Sequence, residues 1–479
     1  MSIDFPQLNF AALLPLTIVV ITGLVVLMLD LAIQDKRTVG WLSLVGVGLA
    51  GVVGYMQQAN PGFDPTFQRL YTVDGYSHFF NLLFLVTAGL SILVAMGYLG
   101  RMDLQRGEYF TLLLFATSGM MVMAGATDLM IVFLGLEIMS IALYVMSAIN
   151  RRTRASGEAG LKYFMLGAYA SAFFLYGVAL IYGATGSTNF NDIAASLTAG
   201  DPLALLGLGL MLIGFAFKVA AVPFHWWTPD VYVGAPTAVT TFMSVGAKAA
   251  GFAALVRVLM VSFSPTFTLD WQIAIAVLAV LTMTLGNLAA LAQKDVKRML
   301  AYSSIAHAGY ILVGVAAGTA QGVSSALFYL MVYAFMNIGA FAIIGLLDRR
   351  DEVGADINDY AGLSARNPWL AAAMAIFMLS LTGFPPLAGF WGKLYLFSAA
   401  VDAGLTWLAV IGMINSGVAA FYYLGVIVQM YFHRSSEEAP ALTASTPTRI
   451  ALILSAVATV AIGLFPAILV NMTIIDFLG

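Results

Sequence analysis

The chain is a succession of long apolar runs separated by short polar links, without regular alternation of apolar and polar residues. Runs of about twenty residues have the length that an α-helix needs to cross a bilayer, whereas the strands of a membrane barrel would alternate. Only helices and closed barrels satisfy their backbone in lipid. The pattern therefore predicts an all-α polytopic membrane protein with about fourteen transmembrane helices. We place these spans at roughly residues 10–33, 39–57, 76–98, 109–125, 128–149, 160–184, 203–223, 238–262, 271–292, 298–317, 323–347, 368–386, 406–432 and 449–471.

Basic residues in the links predict the orientation of the spans. If the N-terminus lies outside, the inner links carry fifteen Lys and Arg residues and the outer links carry only Arg69. Cytoplasmic loops of membrane proteins show this excess. We therefore predict a multi-pass protein of the cell inner (cytoplasmic) membrane with both termini on the outer, periplasmic side. The first ten residues contain Asp4 and no basic residue, so we expect an uncleaved first span and not a signal peptide.

Two spans are interrupted by proline. Span 7 runs into Pro223, Pro229 and Pro236, and span 12 is broken at Pro385 and Pro386. Proline stops a regular helix, and matching breaks five spans apart in halves of opposite orientation indicate an inverted repeat. We therefore divide the chain into N-terminal helices 1–3 (1–108), a first antiporter-like repeat of helices 4–8 (109–262), a second inverted repeat of helices 9–13 (263–432) and C-terminal helix 14 (433–479).

Ionisable side chains inside the spans are the candidate functional residues. Only 9% of the chain is charged, and charges inside hydrocarbon are costly and usually functional. Glu137 lies near the centre of its span. Lys218 precedes the first break by about one turn, Lys393 is its counterpart after the second break, and Lys248 can face Lys218 from the next span. Because a buried lysine exchanges its proton and an arginine does not, this row predicts a route for protons or ions.

Structural roles remain open for several of these groups. Glu137 can be a protonated acid that is hydrogen-bonded between helices, and Lys248 can bond a carbonyl that a break leaves free. Lys162 lies a few residues inside its span beside Glu158, so its long side chain can reach the membrane surface. We expect the same of Arg257, near the outer end of span 8.

Histidines and hydroxyl groups are candidate relays between the lysines. His307 lies in mid-span between the two breaks, whereas His225 in the first break is as well explained by a structural role. No second histidine has ligand spacing and the chain has no cysteine, which argues against a metal site and excludes thiolate-bound iron–sulfur clusters. Further candidates, which could fill the gaps between these groups and lie on or beside the same helices, are Thr241, Ser244, Tyr302, Ser303, Ser304 and Tyr310.

At these residues the chain resembles the antiporter-like membrane subunits of respiratory complex I (NADH-quinone oxidoreductase), and especially their N-type members. Lysine at position 393 and the number of spans favour the N type. The stretches that carry the resemblance are FLGLEIMSIALYVMSA (Glu137), GLKYFMLGAYASAFFLYG (Lys162), FKVAAVPFHWWTPDVYVGAPT (Lys218), SVGAKAAGF (Lys248), KDVKRMLAYSSIAHAGY (His307) and LSLTGFPPLAGFWGKLYLF (Lys393).

The resemblance implies a proton-translocating subunit without redox centres. Flavin, iron–sulfur clusters and quinone would belong to partner subunits, and the partners would be other membrane subunits of complex I, including further antiporter-like ones, within the lipid bilayer and without nucleic acid. Glu137 and Lys162 would form a charge-modulating pair, and Lys218 would hold a proton. Lys248 and His307 would relay it towards Lys393.

Other functional classes share part of this pattern. A cation/proton antiporter subunit, or a subunit of a related hydrogenase or ferredoxin-linked complex, would show the same breaks and lysines. A purely structural spacer would not explain several ionisable groups in mid-membrane. If Lys218, Lys248, His307 and Lys393 form one path, polar side chains or a few waters should bridge each gap between neighbouring groups. The breaks at Pro223 and Pro385 should then open towards this path and not towards lipid.

Overall fold

The computed structural model describes residues 9–60, 66–67, 69–264, 266–348, 356–434 and 442–474. Two short strands, Thr66–Phe67 and Tyr71–Thr72, pair antiparallel, with Thr66 opposite Thr72. Short 3₁₀ helices lie at Phe10–Leu13 and Ile357–Tyr360. The α-helices are α1 (Leu14–Asp30), α2 (Lys36–Gln58), α3 (Gly75–Arg101), α4 (Glu108–Gly125), α5 (Leu129–Ser147), α6 (Arg154–Thr185), α7 (Phe190–Ser196), α8 (Pro202–Val219), α9 (Trp227–Gly234), α10 (Thr237–Met243), α11 (Gly246–Ser262), α12 (Thr268–Leu291), α13 (Val296–Ala316), α14 (Ala320–Leu347), α15 (Leu363–Arg366), α16 (Pro368–Thr382), α17 (Ala388–Asp402), α18 (Thr406–Phe432), α19 (Thr446–Leu464) and α20 (Ala467–Thr473).

The helices confirm the prediction of an all-α multi-pass membrane protein. Among the described residues, thirteen helical segments are long and apolar enough to span a membrane, with α10 and α11 counted as one. The remaining predicted span, span 12, is divided between α16 and α17, each shorter than a bilayer requires. Its predicted end at residue 386 is therefore wrong, because helix resumes at Ala388 and continues to Asp402.

Both interrupted spans end their first helix in the same way. After α8, Ala220 adopts a left-handed conformation (φ 62°), and after α16, Gly383 does the same (φ 92°). In each case the next two backbone N–H groups bond back to carbonyls of the last turn, which closes the helix about one turn before the prolines. The division of the chain into inverted repeats stays a prediction.

A third interruption lies at Ser244–Val245, between α10 and α11, where the sequence predicted one continuous span. These two helices, with α3, α13 and α14, are almost entirely buried. Helices such as α1, α2, α12 and α18 instead expose many large apolar side chains. The centre of the molecule is therefore the group α3, α10–α11, α13 and α14, and candidate residues Lys248, His307, Ser303 and Ser304 lie on it.

Two basic residues differ from the sequence expectation. Arg257 does not reach the surface, because its guanidinium is buried and pairs with both carboxylate oxygens of Asp74 at 2.7 Å. Burial opposes the charge of Asp74, but Arg257 outweighs it and holds the pKa of Asp74 below its usual value. Lys297 was counted in an inner link, yet it is buried and donates to the carbonyls of Val233 and Ala235. These carbonyls lie at the C-terminal end of α9, where a positive charge is favourable.

The orientation of the chain in the membrane stays a prediction. Both terminal segments, 1–8 and 475–479, lie outside the described residues, as do two of the basic positions used for the inner links, Arg349 and Arg350.

Candidate functional site

Lys218 lies in the last turn of α8 and is only 3% exposed. Its Nζ donates to Ser140 Oγ at 2.5 Å. The same atom lies 5.6–5.8 Å from the ring centroids of Tyr144, Tyr163 and Phe217. The amine is therefore held in a cage of aromatic rings, with one hydroxyl as its hydrogen-bond partner.

Glu137 lies on α5, one helical turn before Ser140, so it flanks the Lys218 cage. Its Oε1 accepts a hydrogen bond from Ser171 Oγ on α6 at 2.5 Å. In the described part of the chain Glu137 has no basic group within 4.0 Å. Its carboxylate is thus placed to act on Lys218 through space, over about one turn of helix.

Lys162 forms no ion pair with Glu137, and the charge-modulating role that the resemblance implies for these two residues stays a prediction. The start of α6 at Arg154 places Lys162 two turns into the helix, where its Nζ lies 2.7 Å from Glu158 and 3.0 Å from Asp230. Asp230, on α9, also lies 3.0 Å from Arg298 on α13. The side chain of Lys162 is partly exposed, as its position near the end of the span allowed. This ion-pair network joins α6, α9 and α13.

Lys248, in the first turn of α11, is 2% exposed. Its Nζ donates to both the carbonyl and the hydroxyl of Ser304 on α13 and lies 5.5 Å from the ring centroid of Tyr333. Gly251, three residues further along α11, packs against Lys218, since a Cβ there would lie 3.3 Å from Lys218 Cβ. The two lysines are therefore on neighbouring helices. No hydrogen bond among the described residues connects their amines directly.

His307 is hydrogen-bonded at both ring nitrogens. Nδ1 lies 2.6 Å from Tyr329 Oη and Nε2 lies 2.8 Å from Tyr423 Oη. Tyr423 Oη also bonds Ser303 Oγ. The ring is close enough to interact electrostatically with Lys248 and Lys393. His307 therefore lies between these lysines, and each neighbour can donate or accept a proton.

Lys393, on α17, is 5% exposed and binds the end of α16 across the second break. Its Nζ donates to the carbonyls of Leu381 (3.1 Å) and Thr382 (2.7 Å) and to Ser416 Oγ (2.7 Å). It also lies 4.8 Å from the ring centroid of Tyr310. The carbonyls that the break frees are therefore satisfied by the lysine.

Several polar residues of this region were not identified from the sequence. Tyr310 Oη accepts from Asn287 Nδ2 at 3.0 Å, and Asn287 Oδ1 accepts from Tyr422 Oη at 2.9 Å. In span 13, the polar pair Asn415–Ser416 is followed seven residues later by Tyr422–Tyr423. This spacing places both pairs on one face of α18 and is the sequence signal that could have identified them. The residues that the sequence analysis missed are Ser140, Ser171, Asn287, Tyr329, Asn415, Ser416, Tyr422 and Tyr423.

Two sequence candidates do not join these contacts. Tyr302 is only half-buried, and its hydroxyl makes no hydrogen bond to any described residue. His225 is half-exposed in the first break, beside Trp226, which is 74% exposed. Pro223 and Pro385 are also exposed, and the expectation that the breaks open towards the path and not towards lipid stays a prediction. Proline has no N–H to satisfy, so it can face outwards while Lys393 binds freed carbonyls at the second break and Trp227 binds that of Phe217 at the first.

The described residues contain no group of three or more His, Cys, Asp or Glu side chains that could hold a metal ion. The site is instead a set of single ionisable groups, each surrounded by hydroxyls, amides, carbonyls and rings.

Comparison with known proteins assigns the family. Residues 126–419 match the family model described as "NADH:quinone oxidoreductase/Mrp antiporter, TM". NADH-quinone oxidoreductase subunit N of Trichlorobacter lovleyi is 48% identical over 476 residues, which cover 98% of this chain and 96% of that protein. The chain belongs to the NADH-quinone oxidoreductase subunit N family. The subunit N of Rhodospirillum rubrum is 43% identical over 472 residues, covering 98% and 96% of the two chains.

Solved structures agree with membership of the subunit N family. A chain of respiratory complex I from Thermus thermophilus is 37% identical with a TM-score of 0.82, covering 96% of this chain and all of that one. A chain of the archaeal membrane-bound sulfane sulfur reductase is 28% identical, with a TM-score of 0.85 and 96% of each chain covered. A chain of the Mrp complex from Dietzia shares the fold at 22% identity and a TM-score of 0.83, covering 97% and 96% of the two chains. The resemblance inferred from the sequence is confirmed.

Proposed function

We propose that this chain is a proton-translocating membrane subunit of a respiratory NADH-quinone oxidoreductase. It couples quinone reduction on partner subunits to proton transfer across the membrane. Glu137 tunes Lys218, which holds one proton, and Lys248 and His307 relay a proton to Lys393. Lys162, through Asp230, positions α9 beside this path.

One observation carries the proposal. Lys218, Lys248 and Lys393 are each at most 5% exposed, and none has a carboxylate within 4.0 Å among the described residues. A buried ammonium without a counter-ion costs several kcal/mol. Structural lysines reduce that cost by pairing with an acid, as Lys36 does with Asp30, or by binding carbonyls at a helix end, as buried Lys297 does. Lys218, Lys248 and Lys393 each donate to a serine hydroxyl, which can pass on a proton, and we interpret these lysines as groups that alternate between charged and neutral forms.

The second half of the chain brings several of the proposed relay groups close together. From Lys248 the contacts run to Ser304 and, one turn further along α13, to His307. Tyr423 and Tyr329 hold the two nitrogens of His307, so a proton arriving at one nitrogen can leave from the other. Tyr310, whose ring lies under the amine of Lys393, ends the series. Transfer between Lys218 and Lys248 needs water or a side-chain movement, because no hydrogen bond among the described residues bridges them.

The redox chemistry of the proposed complex belongs to partner subunits. The chain has no cysteine to hold an iron–sulfur cluster, and we assign the clusters, the flavin and the quinone to partner subunits on the basis of the proposed complex. The Glu/Lys/His relay and the expected excess of basic residues in the inner links agree with a cell inner-membrane protein whose termini face outwards.

Purification and proton transport test the proposal together. The tagged chain should copurify with flavin and iron–sulfur subunits that oxidise NADH, and the complex in vesicles should acidify the lumen when NADH and quinone are supplied. Copurification with antiporter subunits and no electron-transfer partner would favour a cation/proton antiporter, and copurification with a hydrogenase or a ferredoxin-linked enzyme would favour that class. A complex that pumps normally with Lys248→Met would reject the relay.

A further inference from the structure

Asp348 is a buried carboxylate that the relay does not use. It follows the end of α14 and is 5% exposed. Oδ2 accepts from Tyr98 Oη at 3.1 Å and from the hydroxyl of Thr237. Oδ1 is buried and has no hydrogen-bond partner among the described residues. A buried polar atom of this kind usually marks a bound water that the protein groups alone do not reveal.

A polar stripe leads from Asp348 along α10 and α11. Thr237, Thr241 and Ser244 follow one another at intervals of four and three residues, which places them on one face of α10 and its end, and Lys248 follows in the first turn of α11. All are buried. Thr241 Oγ1 donates to the carbonyl of Thr237 at 2.8 Å, and Ser244 Oγ donates to that of Thr241 at 3.2 Å. The break between α10 and α11 falls at Ser244.

The opposite wall is α14, which carries Tyr333 and Asn337 one turn apart. Asn337 Nδ2 donates to Ser244 Oγ at 2.7 Å, which joins the two walls. Asn337 Oδ1 and Tyr333 Oη are buried without a partner among the described residues. With Asp348 Oδ1, three unpartnered polar atoms thus lie along α14 and its end, facing the stripe of hydroxyls.

We propose that this seam (Thr237, Thr241, Ser244, Asn337 and Tyr333) is a hydrated path through which Lys248 takes up its proton, with Asp348 as the entry group. This inference rests on the proposed function and adds a point of uptake to it. A proton from solvent binds Asp348 Oδ1, and the resulting O–H passes it to a water in the seam. The last water protonates the neutral amine of Lys248, and Asp348 returns to its carboxylate form. One proton enters and no other bond is made or broken.

The length of the seam fits a short file of water. From 237 to 248 the helices advance roughly 16 Å at about 1.5 Å per residue. Hydroxyls and amides already occupy parts of this distance, so roughly three to five waters with spacings of about 2.8 Å complete it. The seam begins where α3 and α14 end and where α10 and α13 begin, which is the side predicted to be inner.

Two basic groups lie near Asp348, and one of its carboxylate oxygens is free to bind water. Arg101 donates to the Asp348 carbonyl at 2.7 Å, and Lys297 lies close enough to interact with the carboxylate electrostatically. Tyr98 and Tyr360 also face it, and burial raises the pKa of Tyr360 well above its ordinary value, so that phenol stays neutral. Neither cation forms an ion pair with the Asp348 side chain within 4.0 Å among the described residues, which leaves Oδ1 open to water.

Proton pumping by the complete complex tests the entry group. Asp348→Asn keeps the shape and the hydrogen bonds to Tyr98 and Thr237 but cannot carry the proton. The pumping rate in vesicles should fall by about 10²-fold, the lower end of what a positioned proton-transfer group contributes. Asp348→Glu should restore most of it. The matched control is Asp103→Asn, an exposed aspartate after α3 that pairs with Arg152, and it should pump as wild type does.

Two comparisons keep this inference separate from the proposed function. If Lys248→Met stops pumping while Asp348→Asn pumps normally, the entry route is wrong and the relay stands. If Lys248→Met itself pumps normally, the relay is wrong. A cryo-EM map of the complex that resolves water should show density beside Asp348 Oδ1 and Asn337 Oδ1. A dry seam in a map that resolves other buried waters would overturn the proposal even if Asp348→Asn is inactive.

Discussion

Replacing Lys218 by methionine should leave the complex assembled and stop proton transport. Methionine has nearly the length of the lysine stem and can fill the same cage of rings, where thioether sulfur packs well. It carries no proton. Ser140 loses the amine but still donates to the carbonyl of Leu136, so no buried hydroxyl is left without a partner.

The expected change in stability is small because two large effects oppose each other. The hydrogen bond from the Lys218 ammonium to Ser140 is worth about 1.5–3 kcal/mol. Three ring contacts at 5.6–5.8 Å add roughly 0.5–1 kcal/mol each, which gives roughly 3–6 kcal/mol in all. Burying the ammonium costs several kcal/mol in the opposite direction. The free energy of unfolding should therefore change by no more than about 1–2 kcal/mol.

Lys218→Arg is the companion variant, because guanidinium keeps the positive charge and does not release its proton. Both variants should assemble, transfer electrons from NADH to an artificial acceptor as wild type does, and pump about 10²-fold more slowly in vesicles. Normal pumping by an assembled Lys218→Met complex would refute the role of Lys218. Normal pumping by Lys218→Arg alone would show that only a fixed charge is needed.

Three further outcomes follow from the geometry. Glu137→Gln, which can keep the bond to Ser171, should lower quinone reductase activity more than Glu137→Asp; equal activity of Gln and wild type would assign the acid a structural role. Tyr423→Phe should slow pumping while leaving assembly intact, and unchanged pumping would remove this hydroxyl from the relay. The lowered pKa of Asp74 means that its pair with Arg257 stabilises the protein fully above about pH 4 and progressively less as the pH falls through the folded-state pKa. The acid-induced fall in the thermal unfolding midpoint should therefore be smaller in Arg257→Met, and an unchanged slope would contradict this assignment.

The sequence predicts the spans well, because apolar length is set by the bilayer and is local in the chain. The positions of Lys218, Lys248 and Lys393 were also predictable, since lysine at mid-membrane depth stands out by composition alone. The hydrogen-bond partners of these lysines were not predictable. Ser140 and Ser416 come from other helices, and which helix faces which depends on packing that hydropathy does not encode.

The errors have the same origin. Lys297 and Arg257 were treated as surface groups because they lie near helix ends, yet each finds a partner on a distant segment and becomes buried. The partner of Lys162 was not predictable for the same reason, because Asp230 lies sixty-eight residues further along the chain. The break at Ser244 contains neither glycine nor proline at that position, so no local signal predicted it.

The half-helix α9 is the element through which the two halves of the chain can influence each other. At one end, Trp227 stacks on Tyr163 at 4.4 Å and donates to the carbonyl of Phe217, so it forms the outer layer of the Lys218 cage. Further along, Asp230 pairs with Arg298 on α13, the helix that carries His307. A shift of α9 therefore changes the surroundings of Lys218 and pulls on α13 in the same movement. No hydrogen bond among the described residues joins Lys218 to Lys248, so packing connects the lysine of the first break to the relay of the second half, through α9 and through the contact of Gly251 on α11 with Lys218.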